Sequence, residues 1–230
     1  LCSPVGAYRS IAKEIGPHLK EGAIVSDVGS VKTAVVRDVT PHLPKHVHFI
    51  PGHPIAGTEQ SGPESGFAEL FADRWCILTP LPGSDAATVA RLEAFWKACG
   101  SNVDIMTPEH HDLVLAITSH LPHLIAYNIV ATAADLEDVT NSEVIKYSAG
   151  GFRDFTRIAA SDPAVWRDIL VANREEVLKQ SQRFRFALDA LEHVTLAGNT
   201  QALEDLIRSA SEARGAWQIG GPPRGPAGSK

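Results

Sequence analysis

The 230-residue chain has the composition of an ordinary soluble globular protein, with 44% hydrophobic and 21% charged residues. Its net charge of −6 provides no basic surface for nucleic acid or an anionic membrane, so neither is expected as a partner. The longest apolar run, 113–134, is interrupted by histidines and by Pro122, and no membrane span is expected. Three cysteines without paired spacing argue against a disulfide framework or a zinc site and favour a reducing, cytoplasmic location.

Residues 1–106 alternate short apolar runs with segments of helical spacing, which predicts a parallel sheet with helices on its faces. The chain opens with "LCSPVGAY", which has the pattern of a strand end followed by a turn and the start of a helix. The predicted strands lie at 23–25, 46–54, 74–80 and 102–106, and the predicted helices at 31–43 and 87–100.

Residues 107–214 are predicted to be helical, with no strand signal. The first helix begins with a Thr-Pro pair, which is typical of a helix start, and we expect it to bend near Pro122. The Gly- and Pro-rich residues 215–230 are expected to form a disordered tail. The predicted helices span 107–136, 162–194 and 199–214.

A polar turn, "SDVGSVK" at 26–32, separates a predicted strand from a predicted helix. At the carboxyl edge of a parallel sheet such a turn exposes N–H groups and hydroxyls to a ligand, with Ser30 and Lys32 facing it. The alternative is an ordinary loop in which Ser26 or Asp27 caps the following helix. The turn alone favours this second interpretation.

His53 is the clearest single candidate for chemistry, because Gly52 and Pro54 on either side fix the backbone and leave the imidazole projecting from a strand end. An imidazole titrates near neutrality and can take a proton from a substrate hydroxyl. Glu59, six residues on, could orient the histidine or pair with an arginine, or it could simply be solvated.

Two further groups of histidines lie in the first helix of the helical region. His120 and His123 are three residues apart and share a helix face, but no third ligand has a matching spacing, so no metal site is predicted. One of the two is expected to be structural and the other to line a site. His110 and His111 are expected to be solvated residues of the first helical turn.

The segment 148–168 contains a pair of glycines and three arginines, with Asp154 and Asp168 as counter-charges. The glycines would allow close approach of the backbone to another surface. A partly buried arginine beside them could clamp a carboxylate, or the arginines and aspartates could form a network that joins helices. The segment alone leaves both interpretations open. The residues concerned are Gly150, Gly151, Arg153, Arg157, Arg167, Asp154 and Asp168.

Four motifs occur in order along the chain: "SDVGSVK", "GHPIAGTEQSG", "TSHLPHLIAY" and "GGFRDFTRIAASDPAVWRDI". Together they resemble the prephenate dehydrogenase family, which includes cyclohexadienyl and arogenate dehydrogenases of tyrosine biosynthesis. The resemblance covers residues 1 to about 195. It implies the C-terminal part of a Rossmann-like doubly wound sheet at 1–106, followed by a helical substrate and dimerisation domain at 107–214. It also implies oxidative decarboxylation of prephenate or arogenate with NAD or NADP.

The resemblance further implies roles for particular residues. His53 would be the catalytic histidine that takes the proton of the ring hydroxyl, with Ser30 beside it and beside the nicotinamide. Arg157 would pair with a substrate carboxylate, and His123 would line the substrate pocket, which leaves His120 structural. Glu59 and Asp154 would order the pocket, and Gly150 and Trp166 would shape its wall. The remaining cofactor contacts would come from Ser3, Pro4, Val5, Asp27, Gly29 and Ser30.

The chain departs from the family pattern because it contains no G-x-G-x-x-G fingerprint. In the usual doubly wound layout this corresponds to a missing half of roughly 80 residues, so we expect a fragment or a truncated product. Two alternatives remain open. A β-hydroxyacid dehydrogenase would need a catalytic lysine, which neither Lys146 nor Lys179 supplies in a Gly-rich helical motif. A non-catalytic dimerisation or tyrosine-binding module is the other. A homodimer is expected in either case, since the apolar helices exceed what one small domain can bury.

Overall fold

The structure is a computed structural model that describes residues 1–57, 62–137 and 143–217. The chain forms two compact units, Leu1–Val177 and Leu178–Lys230. Glu59 and residues 218–230 of the predicted tail lie outside the described residues.

The first 105 residues form the predicted alternation of helices and short strands. Strands β1 and β2 pair in parallel, as do β4 and β5, while β3 pairs with β4 in the antiparallel direction. The expectation of an entirely parallel sheet is therefore wrong, because no α-helix lies between β3 and β4 in the described residues to return the chain in the same direction. The elements are α1 (Tyr8–Ile15), β1 (Ile24–Val25), α2 (Thr33–Val39), β2 (His48–Phe49), β3 (Gly52–Pro54), β4 (Trp75–Leu78), α3 (Ala86–Ala98) and β5 (Asn102–Ile105).

Strands β2 and β3 are two halves of one extended run that is divided at Pro51. The first half pairs with β1, and the N–H of Ile50 donates to the carbonyl of Val25 at 3.0 Å. Proline has no N–H to donate, but its carbonyl accepts from Thr79 at 2.9 Å, so the run changes partner there. Because of this change of partner, the strand of His53 pairs with β4 and not with β1.

Helices α1 and α2 pack together around a core that is built from the apolar positions of both. Tyr8, Val31, Val35 and Val39 are fully buried there, and Ile169 from the helical region joins them. Burial of each such side chain adds about 1.5–3 kcal/mol to the free energy of unfolding. Because Val31 belongs to the cluster, this packing also fixes the loop before α2. A second, smaller core is formed by Cys76, Leu78 and Trp96.

The helical region begins as predicted at Thr107, whose hydroxyl accepts from the N–H of His110 at 3.2 Å. The predicted bend near Pro122 stays a prediction, and just before that residue a π-helical turn, Ala116–His120, widens the helix. The elements are α4 (Pro108–Leu115), the π turn (Ala116–His120), α5 (Leu121–Glu137), α6 (Glu143–Lys146), α7 (Gly150–Thr156), a 3-10 turn (Arg157–Ala160), α8 (Pro163–Ala172) and α9 (Arg174–Leu196).

The prediction of one helix over 162–194 is wrong, because α8 ends and α9 begins at Asn173. Asp162 caps α8 by accepting from the N–H groups of Ala164 and Val165. Asn173 leaves the helical conformation, with φ −104° and ψ 25°, and its side chain is buried. The break therefore turns a polar side chain inward, and its two hydrogen bonds are described below.

The second unit contains the predicted third helix, α10 (Thr200–Ala216). Gly198 adopts the left-handed region with φ +62°, and the side chain of Asn199 then accepts from the N–H of Ala202 at 3.1 Å. The helix continues beyond the predicted end at 214, so Gly215 and Ala216 are helical rather than part of the tail. No strand follows Ile105 within the described ranges.

The helical run Pro108–Leu136 is long and apolar enough to cross a membrane, by length and composition only. It has 29 residues, and the mean hydropathy of its most apolar window is 1.5. The expectation that no run reaches this size is therefore wrong, because its most apolar window contains at most two Asp, Glu, Lys or Arg residues and the π turn keeps the run helical through Pro122. The core helix of a soluble protein can have the same length and composition, so a single such helix is weak evidence for a membrane span. Only 22% of that window is buried in this chain.

Candidate active site

His53 lies at the centre of β3, and its side chain is buried, with 7% of its surface exposed. Strand pairing places it opposite Ile77 of β4. Its Nδ1 atom is 2.8 Å from Nε2 of His111, and the two rings meet edge to face with centroids 5.1 Å apart. The histidine that sequence analysis singled out thus has a second histidine as its direct partner.

His111 is completely buried, so the expectation that it is a solvated first-turn residue is wrong, whereas its neighbour His110 is exposed. Its Nδ1 atom is 2.8 Å from Oδ1 of Asp112. The buried side of α4 also includes Leu115, four residues on from His111. That apolar residue was the one local signal that could have placed His111 on the inner face.

Asp112 joins this histidine pair to the polar turn at 26–32. Its Oδ1 accepts from the N–H of Lys32 at 2.7 Å and its Oδ2 accepts from the N–H of Thr33 at 2.9 Å. These are orphan N–H groups at the start of α2, so a carboxylate 80 residues away caps the helix. The expectation of a cap from Ser26 or Asp27 is wrong.

Asp27 and Lys32 form a buried ion pair beneath the same turn, and both side chains are fully buried. The ammonium group of Lys32 also donates to the carbonyl of Gly52 at 2.6 Å. Asp27 accepts in addition from the N–H groups of Gly29, at 2.9 Å, and Gly52, at 3.2 Å. The expectation that Lys32 faces a ligand is wrong. Its role is to tie the turn to the residue that precedes His53.

Burial determines the protonation of the histidine pair. The pKa of His53 lies well below its ordinary value, chiefly because burial disfavours the charged imidazolium, and electrostatic interactions with His111, Lys32 and His120 lower it further. Burial also lowers the pKa of His111, although the carboxylate of Asp112 opposes this. Both rings are therefore neutral at pH 7, and each neutral imidazole has one ring nitrogen that can accept a hydrogen bond or a proton.

His120 is buried at the end of the π turn and is held by Asn173. The side-chain amide of Asn173 donates to the carbonyl of Asp112 at 2.9 Å and lies 3.1 Å from Nδ1 of His120. Because the amide nitrogen is a donor, the proton of His120 sits on Nε2, which has no partner with hydrogen-bond geometry among the described residues. Burial lowers the pKa of His120 to about 4, although the carboxylate of Asp112 and the main chain of Ser30 oppose this.

His123 stacks on Trp166, with ring centroids 3.4 Å apart and an angle of 18° between the planes. The Nδ1 atom of His123 is 2.9 Å from the carbonyl of Ser119. Tyr127 lies beside both rings, and its buried hydroxyl has no partner within the described part of the chain. The stacked rings of His123 and Trp166 therefore form one flat surface. The ring of His120 lies beside it, with its centroid 6.1 Å from that of Trp166.

The predicted substrate clamp lies on exposed elements. Arg157 is exposed and begins the 3-10 turn that packs against α5, the helix of His123. Asp154 is exposed and pairs with Arg153 at 3.3 Å. A Cβ atom at Gly150 would meet described neighbours only at ordinary contact distances, and at Gly151 it would meet none within 4 Å. Within this chain no described backbone lies close to either glycine, and the predicted close approach to another surface stays a prediction.

The predicted cofactor residues occupy two adjacent segments. The N–H of Val28 donates to the carbonyl of Leu1 at 3.2 Å, which places Ser3, Pro4 and Val5 next to the turn that holds Asp27, Gly29 and Ser30. A Cβ atom at Gly29 would lie 2.9 Å from Val5 Cγ2, so only glycine fits. The carboxylate of Asp27 is occupied by protein donors, as described above.

Two buried hydroxyls, those of Ser3 and Ser26, lie in these same segments without hydrogen-bond partners among the described residues. Buried polar atoms are normally paired, and unpaired ones beside a glycine turn are suited to the polar groups of a dinucleotide. The segments therefore fit such a cofactor. The described residues contain no group of three or more His, Cys, Asp or Glu side chains that could hold a metal ion.

A Rossmann-type edge with unpaired hydroxyls, a helical domain and a buried neutral histidine together define a nicotinamide-dependent oxidoreductase. Residues 1–105 match the family profile described as prephenate dehydrogenase, nucleotide-binding domain, and residues 107–209 match the prephenate dehydrogenase dimerization domain. The chain belongs to the prephenate dehydrogenase family, as its motifs predicted.

Known relatives agree with this assignment. The chain is 40% identical to a cyclohexadienyl dehydrogenase of Zymomonas mobilis over 93% of its own length and 73% of the relative's. It is 34% identical to a prephenate dehydrogenase of Bacillus subtilis, over 83% of this chain and 51% of that one. The crystal structure of prephenate dehydrogenase from Aquifex aeolicus with hydroxyphenyl propionate and NAD+ matches with a TM-score of 0.86 and 39% identity, over 93% of this chain and 74% of that chain.

Proposed function

We propose that the chain takes part in the NAD- or NADP-dependent oxidative decarboxylation of prephenate or arogenate, to 4-hydroxyphenylpyruvate or tyrosine. The observation that carries this proposal is the buried, neutral His53 in β3, held by His111 and Asp112 beside the turn at 26–32. Family membership and the relative that was crystallised with hydroxyphenyl propionate and NAD+ support the same substrate class.

In this reaction His53 accepts the proton of the substrate's ring hydroxyl while the carbonyl forms at that carbon. The nicotinamide, when bound, supplies the acceptor for the hydride that leaves the same carbon. Loss of the ring carboxylate as carbon dioxide returns its bonding electrons to the ring, which becomes aromatic. Ser30 follows the glycine turn and is placed to hydrogen-bond either the substrate hydroxyl or the nicotinamide. Ser3, Pro4, Val5, Asp27 and Gly29 build the edge that would hold the cofactor.

The helical region supplies the substrate pocket in this proposal. Arg157 pairs with a substrate carboxylate, since a guanidinium can bind both carboxylate oxygens at once. His123 and Trp166 form the stacked wall, and Gly150 and Asp154 border the pocket on α7, which packs against α5. Glu59, which lies outside the described residues, completes the predicted set as a carboxylate that orders the pocket.

We also propose that the chain acts as a homodimer in the cytoplasm, with the domain division between residues 106 and 107. The matched dimerization-domain profile and the exposed apolar side chains on Pro108–Leu136 support a second copy as the partner. Exposed apolar side chains on this run include Ile117, Ile129, Val130 and Leu136. The two family profiles meet between residues 105 and 107, and the three cysteines are free.

The test is nicotinamide reduction with prephenate and with arogenate, each with NAD and with NADP. Because the chain contains no G-x-G-x-x-G, the assay uses both the 230-residue chain and a version extended at its N-terminus by a dinucleotide-binding half that carries this fingerprint. We expect turnover of at least one substrate in the extended version. A folded, dimeric extended version that reduces no nicotinamide with either substrate would contradict the proposal and favour the non-catalytic module.

A further inference from the structure

We propose that His111 and Asp112 are positioning residues, which hold His53 in the tautomer whose Nε2 atom is free to accept a proton. This inference rests on the proposed function and deepens it. Three side chains form a continuous line: Nδ1 of His53 is 2.8 Å from Nε2 of His111, and Nδ1 of His111 is 2.8 Å from Oδ1 of Asp112. These three side chains, His53, His111 and Asp112, are called the relay below, and all three are buried.

The direction of each hydrogen bond in the relay follows from the carboxylate of Asp112 at its end. An ionised carboxylate can only accept, so His111 must carry its proton on Nδ1 and donate it to Asp112. Nε2 of a neutral His111 is then an acceptor, and Nδ1 of His53 must donate to it. The remaining ring nitrogen of His53, Nε2, therefore carries no proton and is the basic atom.

The other contacts of Asp112 keep this direction fixed. Burial raises the pKa of its carboxyl, but hydrogen bonds from His111, Lys32 and Thr33 outweigh burial and lower that pKa below its ordinary value. The carboxylate consequently stays ionised and cannot become a donor towards His111. Because the two N–H donors from α2 occupy fixed helical positions, they also hold the carboxylate in place.

The relay has a second effect during the reaction. When Nε2 of His53 accepts the substrate proton, the imidazolium donates from Nδ1 to a ring that is itself bonded to a carboxylate. The positive charge is thereby stabilised without a further proton transfer, as in a catalytic triad in which a carboxylate orients the base. Since Asp112 also caps α2, the same carboxylate fixes the base relative to the turn of Ser30.

The test combines nitrogen NMR of the histidine rings with kinetics. The full chain, labelled with 15N in histidine, should show His53 protonated on Nδ1 at pH 8. His111→Leu removes the acceptor and should shift His53 towards the Nε2-protonated form. His111→Gln keeps an acceptor oxygen and a donor amide and should retain the Nδ1-protonated form. His110→Leu removes the exposed neighbour and is the matched control, for which no change is expected.

In the fingerprint-extended version, His111→Leu should lower kcat about 10- to 100-fold while KM changes less than about threefold. His111→Gln should recover most of the lost kcat, and His110→Leu should leave both constants unchanged. A wild-type His53 that is protonated on Nε2 would overturn the positioning role, whatever the activity, even if His111→Leu fails to fold. The proposed function fails separately, if the tautomer is as expected and no substrate is turned over.

Discussion

The two halves of the candidate site are built in opposite ways. Around His53 the buried side chains of Asp27, Lys32, His111 and Asp112 are all hydrogen-bonded within the protein. The carboxylate of Asp112 alone accepts from three donors. Around Arg157 and Asp154 the side chains are exposed and lie on short helices. The comparison indicates that the proposed base is held in place by the fold, whereas the proposed substrate clamp lies on exposed elements.

The largest effect on stability should come from the buried ion pair. Lys32→Met leaves the carboxylate of Asp27 buried without its partner, which should lower the free energy of unfolding by about 3–5 kcal/mol. Lys97→Met is the matched control, because Lys97 is exposed and pairs with Glu93 on one helix, and it should cost about 0.5 kcal/mol or less. Urea unfolding of both variants measures the difference. Equal decreases in the free energy of unfolding would mean that the buried ion pair contributes no more to stability than the exposed one.

A second prediction concerns pH. The pKa values of His53, His111 and His120 are lowered in the folded chain, so between those values and about 6.5 the unfolded chain binds more protons. The free energy of unfolding should therefore be highest above pH 6.5 and should fall as the pH decreases below that value. His120 alone, with a pKa of about 4, should account for about 3 kcal/mol by pH 4.

Urea unfolding at pH 8, 6.5, 5.5 and 4.5 tests this dependence. His120→Asn should reduce the slope of the free energy of unfolding against pH below pH 6.5, and His110→Asn, at an exposed position of α4, should not. A free energy of unfolding that stays constant from pH 8 to pH 4.5 would show that the histidines are not buried in the neutral form.

The smallest of these effects should come from the exposed half of the site. Arg157→Ala should raise KM about tenfold and change kcat little, because a carboxylate contact made equally in the ground and transition states contributes only to binding. Arg9→Ala removes an exposed arginine that pairs with Asp38 and should change neither constant. An unchanged KM in Arg157→Ala would remove this residue from the substrate site.

Local features of the chain could be predicted from sequence where neighbours in sequence decide them. The helix start at Thr107, the strand of His53 and the helix start at Asn199 depend on a few adjacent residues, and the structure contains all three. The family was likewise identifiable from four motifs.

The relay could not be predicted, because its contacts join distant parts of the chain. His53 and His111 are 58 residues apart, and Asp112 caps a helix that begins 80 residues earlier. Without those contacts, the pair His110 and His111 has the pattern of an ordinary polar first turn. The antiparallel pairing of β3 was missed for a similar reason, since it depends on the change of partner at Pro51.

The most direct test of the account is His53→Asn in the fingerprint-extended version, with kcat and the dissociation constant of prephenate measured separately. An asparagine of similar shape keeps a donor towards His111 but cannot accept a proton as a base. We expect kcat to fall by about 10²–10⁴-fold while the dissociation constant changes less than about threefold. A kcat close to that of the wild type, or an equal loss of binding, would show that His53 is not the base.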